Sequence, residues 1–337
     1  MTVFFETATD MIRMARRNMR QDAWDYVCGA AESETSLRRN RMALDSLAFR
    51  PRICRDVSEI DTSTSLFGHK LRIPVILAPM GSIQNFADRA ALEVDDAARD
   101  FGSINFISTV TEPSLEELAA NSAHPKCFQI YVRGDDQWIR DLCKRIVDNN
   151  YPMVTLTVDS AFYGNRERLN PSQLALRRVA TREWQKKITW DTVKLVKDAI
   201  GDRPLILKGI QTAEDAALCV ENGVDGVYIS NHGGRQLDGV PAPVEVIGEI
   251  ADAVGDRLEI ILDGGVRRGS HVLRALALGA TACMMGRPYL YGLAAGGQAG
   301  VERVLALLRA EIERDLILAG RPRLGDIDRS LVRADLG

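Results

Sequence analysis

The sequence predicts an α/β fold, a (β/α)8 TIM barrel with an N-terminal helical extension and a lid loop after strand 4. Three observations predict it. Short apolar runs alternate with amphipathic stretches, eight of each can be counted, and 337 residues is the length of one large barrel with additions. Eight strand-helix units favour a closed barrel over a doubly wound sheet. Residues 1–337 therefore read as a single domain, with 1–50 as a helical N-terminal cap and 159–189 as the lid loop.

Composition narrows the class further. The formal net charge is -3 and no Lys/Arg run stands out, so neither nucleic acid nor an anionic membrane is expected as a partner. Cys28, Cys54, Cys127, Cys143, Cys219 and Cys283 are scattered singly, without a Cys-x-x-Cys pair or histidines at ligand spacing. They read as reduced thiols, with no metal site. The N-terminus lacks the apolar stretch of a signal peptide, and no apolar run reaches membrane-spanning length. A cytoplasmic protein is the expectation.

From Thr7 to about Ala48 apolar residues recur at helical spacing: Met11, Ile12, Met14 and Ala15, then Trp24, Val27 and Cys28, then Leu37, Met42, Leu44 and Leu47. Gly29 marks a stop that leaves Tyr26 near a helix boundary, where a tyrosine reads first as packing. After a connector with Pro51, Asp56 and Asp61, the barrel rhythm begins. Strands are predicted near 73–78, 104–108, 127–132, 153–158, 205–208, 226–229, 259–262 and 282–285. Helices are predicted near 87–101, 113–121, 136–149, 190–200, 212–222, 243–253, 269–278 and 297–318, with Thr212 and Asp191 as caps. Between Asp159 and Thr189 the rhythm breaks, and this stretch holds Arg166, Arg168, Arg177, Arg178 and Arg182. A long loop at the ligand-facing end reads as a lid. Beyond Gly320 the tail reads as a surface arm.

In such a barrel the residues at each strand's carboxyl end face one mouth. Strand 1 brings Ala78, Pro79, Met80 and Gly81; strand 2 brings Ser108; strand 3, Gln129 and Tyr131; strand 4, Thr157 and Asp159. Strand 5 ends in Lys208, strand 6 in Ser230-Asn-His232, strand 7 in Asp263-Gly264-Gly265-Val266-Arg267 and strand 8 in Gly286-Arg287. The chemistry centres on Ser230 to Gly239. His232 can move a proton near neutral pH and Arg235 can grip a carboxylate at two points, which together suggest proton abstraction beside a carboxylate. The glycine turns after strands 7 and 8, each with an arginine, suit a phosphate. Lys208, central and buried, calls for an anion or an electron-rich ring. A flavin meets that need, with Gln129, Thr157 and Ser108 bonding its polar edge.

These residues coincide with a known pattern. Ser230-Asn-His-Gly-Gly-Arg-Gln236, Leu156-Thr-Val-Asp159, Gln129-Ile-Tyr131, Leu207-Lys-Gly209 and Leu262-Asp-Gly-Gly-Val-Arg-Arg-Gly269 resemble the FMN-dependent α-hydroxy acid oxidase and dehydrogenase family, which includes glycolate oxidase, lactate oxidase and mandelate dehydrogenase. The resemblance runs from Tyr26 to the C-terminal helix. It implies FMN as cofactor, a small 2-hydroxy acid as substrate, oxygen or another electron acceptor, and a homotetramer.

Residue by residue, the resemblance implies that His232 is the base and Asp159 the carboxylate that orients it. Arg235 and Arg166 would clamp the substrate carboxylate, with Tyr26 and Tyr131 bonding the substrate near its reacting end; Tyr26 thereby changes from packing to site residue. Ala78 to Gly81, Ser108, Gln129, Thr157 and Lys208 would hold the ring and ribityl parts of FMN. Asp263, Gly264, Gly265, Val266, Arg267, Gly286 and Arg287 would hold ribityl and phosphate.

Departures from the family pattern concern the substrate. Val110 stands where several members carry a bulky aromatic, Met80 replaces a frequent threonine, and Ser160-Ala161 replaces the usual Thr-Pro. Gly81 stands where members have Ala or Gly. With Phe162 and Tyr163 in the lid, Val110 would leave room for a substrate side chain larger than that of glycolate. The alternatives are a non-redox FMN barrel such as the type 2 isopentenyl diphosphate isomerase and a non-catalytic flavin-binding barrel.

Overall fold

The computed structural model describes residues 5–169 and 183–334. Arg177, Arg178 and Arg182 of the predicted lid lie outside the described residues. Three helices open the chain: α1 (Ala8–Asn18), α2 (Gln21–Cys28) and α3 (Thr35–Asp45). Thr7 caps α1 by accepting from the Asp10 amide, and Met11 and Ala15, four residues apart on one face, are buried.

Short strands β1 (Leu47–Phe49), β2 (Thr64–Leu66) and β3 (His69–Leu71) follow. The barrel consists of β4 (Val75–Leu77), β5 (Asn105–Ser108), β6 (Lys126–Ile130), β7 (Met153–Thr157), β8 (Leu205–Ile210), β9 (Gly226–Ile229), β10 (Glu259–Leu262) and β11 (Ala282–Met285). These eight strands are parallel and close through a β11–β4 pairing, so the predicted barrel is present strand for strand. Around it run α4 (Ala90–Phe101), α5 (Leu115–Asn121), α6 (Asp136–Asp148), α7 (Trp190–Ile200), α8 (Ala213–Glu221), α9 (Pro243–Val254), α10 (Gly269–Ala277) and α11 (Arg287–Ala319).

Each barrel strand alternates between two environments, as the two-residue period of a strand requires. Leu205 and Leu207 of β8 and Val227 and Ile229 of β9 join the layer between sheet and helices. Ile206 and Tyr228 pack inside the barrel with Ile76, Phe106, Met153, Ile261 and Met284. The β2–β3 hairpin adds Leu66 and Leu71 to that inner cluster. A β-carbon on Gly226, at the start of β9, would meet Phe67 of the hairpin turn at 2.8 Å, so the hairpin closes the end of the barrel away from the catalytic loops.

Four expectations need correcting. The first helical stretch stops at Asp45, because Leu47–Phe49 pairs antiparallel with β12 (Val332–Ala334). The tail is therefore tied to the N-terminal cap and not a free arm, and Leu331 is fully buried. Thr212 does cap its helix, but Asp191 sits inside the first turn of α7, where its charge suits the helix dipole, and Thr189 holds the cap position. The last predicted helix covers only the last two thirds of α11. That helix begins at Arg287 and breaks at Gly296 and Gly297, where φ is -171° and +61°.

Candidate active site

The inner positions at the top of β6, β7, β8 and β9 form a polar floor. Gln129 donates from Nε2 to Thr157 Oγ1, and Thr157 lies opposite Lys208 in the β7–β8 register, which in turn lies opposite Tyr228. All four are buried. Lys208 Nζ donates to Ser230 Oγ at 3.2 Å and lies 3.9 Å from Asp159 Oδ2. Sequence proximity offers Lys208 no acid, yet the barrel supplies Asp159 from β7 and Asp263 from β10. Burial pulls the Lys208 pKa down, but these carboxylates outweigh it and hold the ammonium above its ordinary value.

His232 stands two residues beyond Ser230, in a turn where its own φ is +58°. Its backbone amide donates to Ser230 Oγ at 3.0 Å. Nδ1 faces both oxygens of Asp159 at 3.1 Å, and Nε2 faces Tyr131 Oη at 3.2 Å. Asp159 reaches this place because β8 is irregular at Gly209, whose φ is +111°. A β-carbon on Gly209 would overlap that of Asp159, so glycine is required there.

Burial, with the Lys208 ammonium 3.3 Å from Nδ1, lowers the imidazole pKa to about 4 against the opposing pull of Asp159. The ring is thus neutral at pH 7. With the Nδ1 proton directed at Asp159, the lone pair falls on Nε2, toward Tyr131. Burial alone would raise the Asp159 pKa, but Lys208 and His232 overcome it and keep the carboxyl below its usual range.

Arg235 follows on the same turn. Its Nη1 donates to the carbonyls of Tyr26 and Gly29, each at 2.7 Å, and its guanidinium lies 4.8 Å from the centre of the Tyr26 ring. The N-terminal cap therefore holds this arginine in place. Tyr26 Oη donates to Gly81 O at 3.3 Å, bridging the cap to the loop after β4. Arg166 is buried and donates to Arg235 O. Gln236 fastens the described part of the lid, donating to the carbonyls of Asp159 and Phe162 and accepting from the Gly164 amide. Arg168, also in that segment, is paired with Glu34.

These groups surround a cavity of about 450 Å³. Of the predicted residues it is lined by Tyr26, Ala78 to Gly81, Val110, Tyr131, Arg166, Lys208, His232, Arg235, Asp263 to Arg267, Gly286 and Arg287. Ser108, Gln129 and Thr157 are buried behind this lining, and Asp159 is half-buried; none of the four forms it. Sequence reasoning missed Tyr228, Arg133 and Asn40. Tyr228 and Arg133 line the cavity, while Asn40 on α3 exchanges two hydrogen bonds with Asn231 at 2.8 and 2.7 Å.

The profile of the FMN-dependent dehydrogenase family matches residues 15–182 and 170–334. The chain belongs to the FMN-dependent dehydrogenase family. A 2-hydroxyacid oxidase of Dictyostelium discoideum is 34% identical, with 97% of this chain and 90% of that protein covered. An L-lactate oxidase of a Nostoc species is 36% identical over 95% of this chain and 96% of its own. A crystal structure of mandelate oxidase superposes with a TM-score of 0.90 at 35% identity, covering 99% of both chains.

Membership in the FMN-dependent dehydrogenase family makes FMN the cofactor, and two features of this chain fit it. Gln129 Oε1 is buried without a protein partner among the described residues, as an acceptor for a ring N–H requires. At the other end, the turn after β10 runs through Gly264 and Gly265 with φ of +85° and +99°. A β-carbon there would strike Pro243 at 2.8 Å or the Asn40 carbonyl at 2.6 Å. Arg287, half-buried beside Arg235, is lowered to about 10 by desolvation first and by the second guanidinium next, an environment that favours an anion. Its hydrogen bonds go to the carbonyls of Val27, Gly29 and Gly233, which fix it at the cavity wall.

Proposed function

We propose that this protein oxidises an L-2-hydroxy acid to the 2-oxo acid, with His232 as base and Arg166 and Arg235 holding the carboxylate. The observation that carries the reading is the orientation of His232: Nδ1 against Asp159, Nε2 against Tyr131 beside the cavity. FMN, when bound, would supply the two-electron acceptor that the oxidation needs, with oxygen or another acceptor to regenerate it. Arg235, fixed by two carbonyls of the N-terminal cap, and Arg166 orient the carboxylate. Tyr26 and Tyr131 hold the substrate oxygens near the reacting carbon.

His232 Nε2 receives the proton that leaves, from the α-carbon or from the hydroxyl. Positive charge then develops on the ring, and Asp159 is already placed against Nδ1 to stabilise it. Burial, with the Lys208 ammonium beside it, keeps the resting ring neutral and ready to accept. Ser108, Gln129 and Thr157 act from behind the lining, on the polar edge of the cofactor. The oxidase relatives support this reading over an isomerase or a non-catalytic barrel.

Val110 at the cavity wall supports a substrate side chain larger than that of glycolate. Among the described residues no helix is long and apolar enough to cross a membrane. A homotetramer is part of the proposal on the family resemblance alone, and a cytoplasmic place on the singly scattered cysteines. The deciding test is anaerobic titration of the FMN-loaded protein with aliphatic and aromatic 2-hydroxy acids, followed at the oxidised flavin band near ~450 nm. Bleaching by a hydroxy acid, faster for side chains larger than that of glycolate, is the expected result. No bleaching by any member of the panel would remove the reading.

A further inference from the structure

Tyr228 and Asp263, in the wall of the cavity, take no part in the proton chemistry of His232. Tyr228 is fully buried on the inner face of β9, packed with Ile206, Ile261 and Met284. Its neighbours are those of an aliphatic side chain, and yet it carries a hydroxyl. That hydroxyl donates to Asp263 Oδ2 at 2.7 Å. Lys208 Nζ lies 5.2 Å from the centre of the Tyr228 ring. The second oxygen of Asp263 is buried with no protein partner among the described residues.

We propose that Tyr228 is a positioning residue, which holds Asp263 as the counter-charge of Lys208 and so limits the positive charge that the barrel presents to bound flavin. The proposal rests on the reading that Lys208 faces the flavin. A buried carboxylate keeps its charge only when it is paired and hydrogen-bonded. Burial first, and Asp159 with it, holds the Asp263 carboxyl above its usual range, and Lys208 with the bonds from Tyr228 and Ser230 offsets only part of that push. Without the Tyr228 hydroxyl, Asp263 takes up a proton and Lys208 loses part of its compensation. The site then becomes more positive and favours electron-rich flavin more strongly.

Sulfite tests this on the FMN-loaded protein. Its lone pair bonds to oxidised flavin, which takes up the electron pair, and the yellow band bleaches. Tyr228→Phe is expected to tighten the sulfite Kd by about fivefold, the order expected from losing one hydrogen bond to a buried charge. Asp263→Asn moves it the same way, and the double variant adds nothing to Asp263→Asn because both act through one carboxylate. Lys208→Met weakens sulfite by about tenfold or more.

A Tyr228→Phe value within twofold of the parent, with Lys208→Met still weakening sulfite, overturns the proposal and leaves the reading of Lys208 standing. No effect of Lys208→Met overturns both. A merely structural Tyr228 would change FMN affinity and leave the sulfite Kd of the loaded protein alone. If Tyr228→Phe does not retain FMN, Asp263→Asn decides by itself: tighter sulfite supports the proposal, and an unchanged or weaker value overturns it.

Discussion

Val110 Cγ2 occupies the space that a β-carbon on Gly81 would need, so the loops after β4 and β5 interlock beside the cavity. Val110 is β-branched and has few rotamers into which to retreat. Gly81→Ala alone should overpack this contact and lower the stability of the FMN-loaded protein by about 1 to 3 kcal/mol. Gly81→Ala combined with Val110→Ala should recover most of that loss. Thermal unfolding of the four proteins in the cycle measures the coupling. Strict additivity would mean that the two loops do not share this volume.

The contact of Asp159 with Nδ1 carries a different consequence. Asp159→Asn keeps the size of the side chain but can present an N–H to the ring and favour the wrong tautomer. The turnover number should fall by roughly 10²- to 10³-fold. KM should stay within a few-fold, since the proposed reading gives the carboxylate to Arg166 and Arg235 and not to Asp159. Rapid-reaction flavin reduction separates these quantities, and a KM effect with normal reduction would assign Asp159 to binding instead.

How much of this was legible in the sequence depended on where the partners lie. The eight barrel strands were readable because each apolar run is bounded by turn residues, and the His232 turn because its residues stand side by side. Lys208 looked unpartnered, since Asp159 and Asp263 come from other strands and meet it only when the barrel closes. β1 and β12 are three residues each, too short for a periodic signal, and they pair across nearly the whole chain. The break at Gly296 and Gly297 hid the first third of α11. Tyr228 reads as one more apolar strand residue until its hydroxyl is seen against Asp263.

Asn40 is the plainest case of a residue with no local signal. It sits on a polar helical face in the sequence, yet is buried and bonded through its amide to Asn231, next to His232. Asn231 Oδ1 in turn accepts from the Gly234 amide, so α3 braces the turn that carries His232. Asn40→Ala takes one partner from each end of the buried Asn231 amide, which keeps Gly234 N and Pro241 O, and should cost about 1 to 3 kcal/mol. Because the Gly265 turn also lies against Asn40, FMN affinity should weaken with it. Denaturant unfolding together with FMN titration checks both effects, and a loss of stability with unchanged FMN affinity would restrict Asn40 to the histidine turn.

The lowered pKa of His232 fixes the sign of two pH dependences. Burial and Lys208 take the imidazole from its ordinary value near ~6.5 down to about 4, so the base stays neutral throughout the physiological range. kcat/KM should therefore be flat with respect to this group from neutral pH down to about pH 5, and fall only as His232 takes up a proton near 4. Lys208→Met removes a charge that lowers the pKa, and the acid limb should move up toward ~6.5. Stability follows the same window. Between about 6.5 and 4 the unfolded chain binds a proton at this histidine that the folded chain refuses, so stability falls as the pH falls through that range. Asp159, held below its usual range when folded, adds to the loss further down, as its carboxyl is protonated. His232→Gln should flatten the first part of the stability profile and leave the second. An acid limb at pH 6.5 in the parent protein would mean that the ring is solvated and not held neutral by its surroundings.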